Sequence, residues 1–323
     1  MNNTRLSISI VPVVMLLASA TAVAQEAAVE EEAEAPVLGV TGFVNTLAVM
    51  PLNEAAGGGI DASTFGLEQV ELDFTIAPTD DLVIQSDINF FPASPVTRAD
   101  DLVEQAFFDY SIGEGGFISA GKRNAPIGAE ALDQPGRYQI SLGQLFTYTT
   151  PSNITGAFGG YRNDDLMIMV WVTNNWDLPT TAKTATPGGR VQYSLDSGYV
   201  AVSGTYGPMA GEAQTALVDL DTGWTVGDLT VLGEIGFASL DDTTSLGFMA
   251  AANYALTEKF SATLRGDYLD RDFVGSERTA TSATVAGLVD FNDHLRGIVE
   301  LRADLVQDQD AAMTAAVQMT AMW

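Results

Sequence analysis

The chain has 323 residues, no cysteine, 31 glycines and 17% charged residues, and its formal net charge is −28 at pH 7. The missing cysteine excludes disulfides and thiol chemistry, and the acid excess argues against nucleic acid as a partner because phosphates would be repelled; adaptation to saline surroundings explains that excess equally well. Hydrophobic residues make up 46% of the sequence but are dispersed by alternation, and beyond the N-terminus no apolar run is long enough to cross a bilayer as a helix.

Arg5 is the only charge before the apolar run Leu6 to Ala20, and Ala22-Val23-Ala24 is a small-x-small cleavage site. Residues 1–24 therefore read as a secretory signal peptide; the run is too short for a spanning helix, contains Pro12 and leads into acid instead of basic anchors. Residues 25–36 follow, with Glu26, Glu30, Glu31, Glu32 and Glu34, as a solvated acidic periplasmic leader. An exported chain without a helical span is either a membrane barrel or a soluble periplasmic protein.

From 37 onward the pattern is short strands. Candidates fall at 37–48, 65–77, 81–91, 102–112, 116–123, 154–162, 165–175, 188–196, 198–207, 214–225, 227–239, 244–256, 259–271, 281–292, 295–306 and 311–323. A spanning strand needs only about 9–11 residues, with alternate side chains on opposite faces. In 69–76, Val70, Leu72, Phe74 and Ile76 face one way and Gln69, Glu71, Asp73 and Thr75 the other. In 295–306, Leu295, Gly297, Val299, Leu301 and Leu305 oppose Arg296, Glu300, Arg302 and Asp304. An Arg on the lipid face near the midplane costs about 2–4 kcal/mol, so these charges must look into a wet lumen.

Connections alternate in length. Pro78-Thr79-Asp80, Gly113-Glu114-Gly115, Asn163-Asp164, Asp196-Ser197-Gly198, Gly227-Asp228, Thr257-Glu258 and Asn292-Asp293 are short, and 49–64, 92–101, 124–153, 176–187, 208–213 and 272–280 are longer. Short periplasmic turns and long extracellular loops characterise outer-membrane barrels, and the beat requires about 16 strands. Tyr110, Phe117, Tyr161, Trp224, Tyr254, Phe260, Phe291 and Trp323 lie near strand ends, where interfacial girdles belong. The last strand alternates Met313, Ala315, Val317, Met319 and Ala321 against Thr314, Gln318 and Thr320 and stops on Trp323, as expected of a strand that closes on the first and is offered to the barrel-assembly machinery. The expected fold is an all-β, transmembrane antiparallel β-barrel over 37–323, embedded in outer-membrane lipid.

The third extracellular connection, Asn124 to Asn153, is the longest and carries its own apolar and aromatic residues, so it is expected to fold inward and narrow the lumen. That would set Glu130 and Asp133 against strand-borne Lys122 and Arg123 or the group Arg265, Arg296 and Arg302. Opposed charges across a narrow pore impose a transverse field that tunes ion preference. Lys122, Arg123, Glu130, Asp133, Arg137, Arg265, Arg296, Glu300 and Arg302 are the candidate pore-lining residues.

Gly121-Lys122-Arg123-Asn124-Ala125-Pro126-Ile127-Gly128-Ala129-Glu130 resembles the GK(F/R)…P.G.E element of the OmpL-like porin-2 family of outer-membrane porins. Thr150-Pro151-Ser152-Asn153-Ile154-Thr155-Gly156 is similar to that family's P…TG segment, and Val172-Thr173-Asn174-Asn175-Trp176-Asp177 to its N-G-W-D segment, with Asn175 in place of Gly. The likeness is firmest over 102–196. It implies a porin passing small hydrophilic solutes and ions, supplies no particular solute, and implies a homotrimer by analogy with barrels of this architecture.

Enzymatic chemistry has little support. The one histidine, His294, sits in a short turn at the end opposite to where barrel hydrolases place theirs. Zinc-type clusters and phosphate-cradling glycine motifs are absent from the sequence, and no cofactor is indicated. Asp241-Asp242 and Asp270 with Asp272 lack EF-hand spacing and read as solubilising loop acids. The alternative to a diffusion pore is a non-conducting barrel that anchors or binds through its outer loops, recognisable by inward Arg and Glu pairing off and excluding water.

Overall fold

The computed structural model describes residues 37–57, 63–90, 102–174, 185–208, 214–240, 243–270 and 279–323. The signal peptide, the acidic leader, Asn175 to Asp177, Asp241-Asp242 and Asp272 lie outside the described residues. The strands are β1 (Val37–Pro51), β2 (Thr64–Thr79), β3 (Leu82–Asn89), β4 (Val103–Ile112), β5 (Gly116–Asn124), β6 (Asn153–Arg162), β7 (Leu166–Thr173) and β8 (Thr186–Leu195). They continue as β9 (Gly198–Pro208), β10 (Gln214–Val226), β11 (Leu229–Leu240), β12 (Thr243–Ala255), β13 (Phe260–Asp270), β14 (Thr279–Asn292), β15 (Leu295–Val306) and β16 (Ala312–Met322). Each strand pairs antiparallel with its chain neighbours, and β1 pairs with β16, so the sheet is a closed barrel of 16 strands. All sixteen strands expected from alternation are present, with ends moved by a few residues.

Closure is made by Phe43↔Met322 through Pro51↔Thr314. Trp323 extends it, donating its N–H to the Gly42 carbonyl at 3.1 Å and accepting from Gly42 N at 3.3 Å. The terminal strand thus leaves no open edge, which a bilayer would not tolerate.

Alternation decides what faces lipid. On β15, Val299 and Leu301 are exposed while Ile298 and Glu300 are buried inside, and on β16 Met313 and Val317 are exposed while Gln318 and Thr320 are buried. Tyr110, Tyr161, Tyr254, Phe260, Phe291 and Trp323 are exposed near the short-turn rim, as an interfacial girdle requires. Phe117 departs from the expected girdle: it is only 3% exposed and points inward, beneath the Arg162 guanidinium at 5.0 Å from its ring centroid. It lies on the same face as Ser119, and the pleat, not proximity to a strand end, sets its direction.

The long–short beat breaks in one place. β11 ends at Leu240 and β12 begins at Thr243, so a connection on the long-loop rim is as short as the turns opposite. His294 lies in the β14–β15 turn, where its ring Nδ1 is 3.0 Å from the Met322 carbonyl oxygen.

Two register shifts bear on the lumen. In the β1–β2 pair Asn45 faces Gln69 while Thr46 faces Leu67, which leaves Glu68 as an extra residue. In the β3–β4 pair Asp87 faces Gln105 while Ile88 faces Val103, which leaves Glu104 extra. Such bulges re-aim a side chain. Here each adds a glutamate beside an inward neighbour.

Candidate pore constriction

The 124–153 segment starts from a hydrogen-bonded root: Ala125 N donates to Ser152 O at 2.9 Å and Asn153 Nδ2 to Asn124 Oδ1 at 2.6 Å. It then contacts side chains that alternate with the lipid-facing residues, so it runs inside the barrel. Three apolar side chains seat it. Ile127 joins Phe117, Ile154, Phe158, Met169, Trp171, Leu217 and Ala238. Ile140 meets Ala286, Leu288, Ile298 and Ala316, and Leu145 meets Met249, Ala251 and Leu269. Leu145 belongs to the short helix α1 (Gln144–Thr149), and it enters where the wall has no side chain: a Cβ on Gly247 would stand 2.6 Å from Leu145 Cδ2, and one on Gly236 2.8 Å from it.

Polar ties run from the loop backbone to inward charges. Glu300 Oε2 accepts from Ile140 N at 2.7 Å and Ser141 N at 3.1 Å; Asp267 Oδ1 accepts from Gln144 N at 3.0 Å; Glu234 Oε2 accepts from Ala129 N at 2.9 Å. The neighbouring Gly128 has φ +89, a left-handed backbone that favours glycine, and lets the loop lie against Glu234. Arginines take the carbonyls: Arg302 Nη1 donates to Leu142 O at 2.7 Å, Arg296 Nη1 to Pro135 O at 3.0 Å, and Arg265 Nη1 to Ser141 O at 2.6 Å.

The arginines also hold acids. Arg265 bridges Glu130 at 2.9 Å and Asp267 at 3.1 Å, with its own side chain fully buried. Arg302 pairs with Asp304 and Arg296 with Asp290, both at 2.7 Å. Arg190, which sequence reasoning missed, grips Asp221 bidentately at 2.7 and 2.9 Å and reaches Pro126 O at 3.4 Å. Its signal was the polar alternation Arg190, Gln192, Ser194 along β8.

The nine sequence-derived residues therefore divide. Glu130, Arg265, Arg296, Glu300 and Arg302 converge where the loop meets β13–β15. Arg137 clamps the loop on itself, donating Nε to Ala131 O at 2.9 Å, Nη1 to Ile140 O at 3.1 Å and Nη2 to Leu132 O. Arg123 is buried between the rings of Phe107 and Phe158, 4.5 and 5.3 Å from their centroids, and 3.5 Å from Asp109. Lys122 is cross-strand from exposed Ala106, on the outward face near the long-loop rim, with Nζ donating to Val103 O at 2.7 Å.

Asp133 lies apart from that group, on the β2–β4 side of the lumen and among acids. Glu71, Glu104 and Asp133 bring one carboxylate oxygen each within 4.8 Å of the others. Asp73 and Asp87 stand nearby on β2 and β3. Amides hold these wall acids: Gln69 Nε2 donates to Glu71 at 2.9 Å, Gln85 Nε2 to Asp87 Oδ2 at 2.9 Å, and Asn89 Nδ2 to Glu104 at 3.3 Å. Burial, and then the Glu104 carboxylate beside it, push the Asp133 carboxyl well above the usual carboxylate range.

The lumen thus has an arginine-rich wall whose positive charge is spent on the loop and on paired acids, and an acidic wall on β2–β4. Water reaches part of it: the inward pairs Arg296–Asp290 and Arg302–Asp304 keep side-chain exposures of 21%/37% and 14%/28%.

Among solved structures, the loop-deleted OmpT of Vibrio cholerae, an outer membrane protein, aligns with a TM-score of 0.68 at 13% identity, covering 90% of this chain and 100% of its own. OmpF of Salmonella typhi, solved in complex with daunomycin, gives 0.65 at 12% identity, covering 88% and 97%. OprB of Pseudomonas putida gives 0.63 at 10% identity, covering 88% and 94%. At such identities the likeness is one of fold. No curated protein sequence matches the chain. The model of the family described as "Putative beta-barrel porin-2, OmpL-like" matches residues 78–320, so this outer-membrane β-barrel belongs to that porin family.

Proposed function

We propose that the chain is a general diffusion porin: small hydrophilic solutes and ions cross a water-filled lumen narrowed by the 124–153 loop. The carrying observation is the inward ion pairs Arg296–Asp290 and Arg302–Asp304, charged, facing the lumen and wetted. Ion pairs left this exposed on an inner face are open to water, which the diffusion reading requires. In this reading Glu130, Arg265, Glu300 and Arg302 fix the loop. The exposed parts of Arg296 and Arg302 screen the solute's charge, while Asp133, Lys122, Arg123 and Arg137 act by packing. No residue has a catalytic role. The strand ending in Trp323 is the segment offered to the barrel-assembly machinery, and association into trimers would use the exposed apolar bands.

The pairing of Arg190 with Asp221 and Arg265 with Glu130, all nearly dry, favours a second reading: a non-conducting barrel that anchors or binds through its outer loops. Swelling of proteoliposomes separates the two. A diffusion pore gives swelling rates that fall with the size of neutral sugars and do not saturate. Vesicles holding folded, heat-modifiable barrel that do not swell would leave only the second reading.

A further inference from the structure

We propose that Arg162 is a specificity-determining residue of the lumen: an uncommitted guanidinium at the short-turn mouth that draws small anions, carboxylates and phosphates among them, into the passage. The inference rests on the diffusion reading and assigns one residue a role within it. Arg162 is the last residue of β6. Its backbone is fixed there, with Arg162 N donating to the Gly115 carbonyl at 2.8 Å. Alternation along β6 sends Phe158 inward and Tyr161 outward, so Arg162 turns to the lumen, where it is half-buried.

This arginine is held differently from the others. Its guanidinium carbon lies 5.0 Å from the Phe117 ring centroid. Stacking on a ring occupies the face of a guanidinium and leaves the N–H donors on its edge free. Every other inward arginine among the described residues spends those donors on the protein. Arg190, Arg265, Arg296 and Arg302 hold acids at 2.7 to 2.9 Å. Arg123 reaches Asp109 at 3.5 Å, and Arg137 is clamped to loop carbonyls. Among the described residues neither a carboxylate nor a carbonyl meets the Arg162 guanidinium. Its open fork is the shape that takes a carboxylate or phosphate through two parallel hydrogen bonds.

The surrounding wall keeps the fork open. Gly160 is the inward position between Phe158 and Arg162, and a Cβ there would stand 3.0 Å from Phe117 Cε1, so the missing side chain leaves room for the ring. Asp109, on the same wall, is already engaged by Arg123. The rim acids Glu114, Asp164, Asp165 and Asp196 are exposed in their turns, and none of them pairs with Arg162. Charges in open solvent are screened, whereas Arg162 faces the passage on a low-dielectric wall. The short-turn mouth therefore carries a fixed positive charge that the acidic β2–β4 wall, with Asp73, Asp87 and Glu104, does not.

The test reads the two mouths separately. Single channels of the refolded mature barrel are recorded in about 0.1 M against about 1 M KCl, and the gradient is then reversed across the same channel; the screening length is about 10 Å on the dilute side and about 3 Å on the other. Arg162 is felt when its mouth is dilute and masked when it is concentrated. The wild type should show a lower potassium-to-chloride permeability ratio in one gradient direction than in the other. R162Q should raise that lower ratio at least about 2-fold and move the other far less, while R162K, which keeps the charge, follows the wild type. Heat-modifiable migration certifies the fold of each variant. A wild type with the same ratio in both directions overturns the inference without any variant. So do equal shifts in R162Q, which a residue that merely packs the wall would give, and an R162K that behaves as R162Q. A conducting pore with any of these results defeats this inference alone; a folded wild type that passes no current defeats the diffusion reading and this inference with it.

Discussion

Replacing Arg265 with Ala removes the side chain on which the loop's inner turn depends. Its guanidinium contacts Glu130 at 2.9 Å, Ser141 O at 2.6 Å, Ser141 Oγ at 3.1 Å, Leu142 O at 3.3 Å and Asp267 at 3.1 Å, and none of the side chain is exposed. Truncation leaves two buried carboxylates unpaired, a loss of about 3–5 kcal/mol for a pair of this kind. The barrel's own ladder is untouched, so the loss falls on docking of the loop. At about 1.36 kcal/mol per factor of ten, undocking becomes roughly 100- to several-thousand-fold more frequent. Glu300, Arg302 and Asp267 still hold part of the loop, so the outcome is local release. In planar bilayers Arg265→Ala should show larger mean conductance and faster flicker than wild type, with unchanged heat-modifiable migration. Arg265→Lys keeps the charge but loses the fork and should fall between. A variant that matches the wild type in conductance and noise would refute the claim that this docked loop limits the current.

Three further outcomes follow from the same geometry. Glu130→Gln with Asp133→Asn removes loop acid from both walls and should lower cation preference, read as a reversal potential shifted toward the anion side; unchanged potentials would take the loop out of selectivity. Asp133 has its folded-state pKa raised above the unfolded value, so its contribution to docking is full below the ordinary carboxylate range and is lost as pH rises toward the folded value. Flicker should therefore increase with rising pH, and Asp133→Asn, which mimics the protonated form, should flatten that rise. Gly247→Val fills the place of Leu145 Cδ2, only 2.6 Å from where the new Cβ would stand, and should unseat α1 at a cost of about 1–3 kcal/mol, read as proteolytic cleavage within 143–150 of the folded barrel.

The strands were legible because lipid imposes a rule on every second residue. Val299 and Leu301 against Glu300 and Arg302 cannot be arranged otherwise, and the short turns fix where each strand ends. The inward sense of Phe117 was lost because its nearness to a strand end suggested a girdle, while its parity with Ser119 gave the answer. Within the site, Arg265, Glu300 and Arg302 stood out as charges in alternating strands. Arg190 carried the same signal more weakly, among glycines in β8. The acidic wall was harder to foresee, because Glu68 and Glu104 owe their direction to bulges that alternation does not reveal. The joining of Asp133 to Glu71 and Glu104 depends on how a 30-residue loop turns, set by Ile127, Ile140 and Leu145 finding apolar or empty places on distant strands.

The most direct test of the diffusion reading is single-channel recording from the refolded mature barrel under a KCl gradient. The account predicts steady open conductance, with a reversal potential of the sign for cation preference, since the wall arginines are paired whereas Asp73, Asp87 and Glu104 on β2–β4 form no ion pair among the described residues. A correctly folded, heat-modifiable barrel that passes no current at any potential would contradict it.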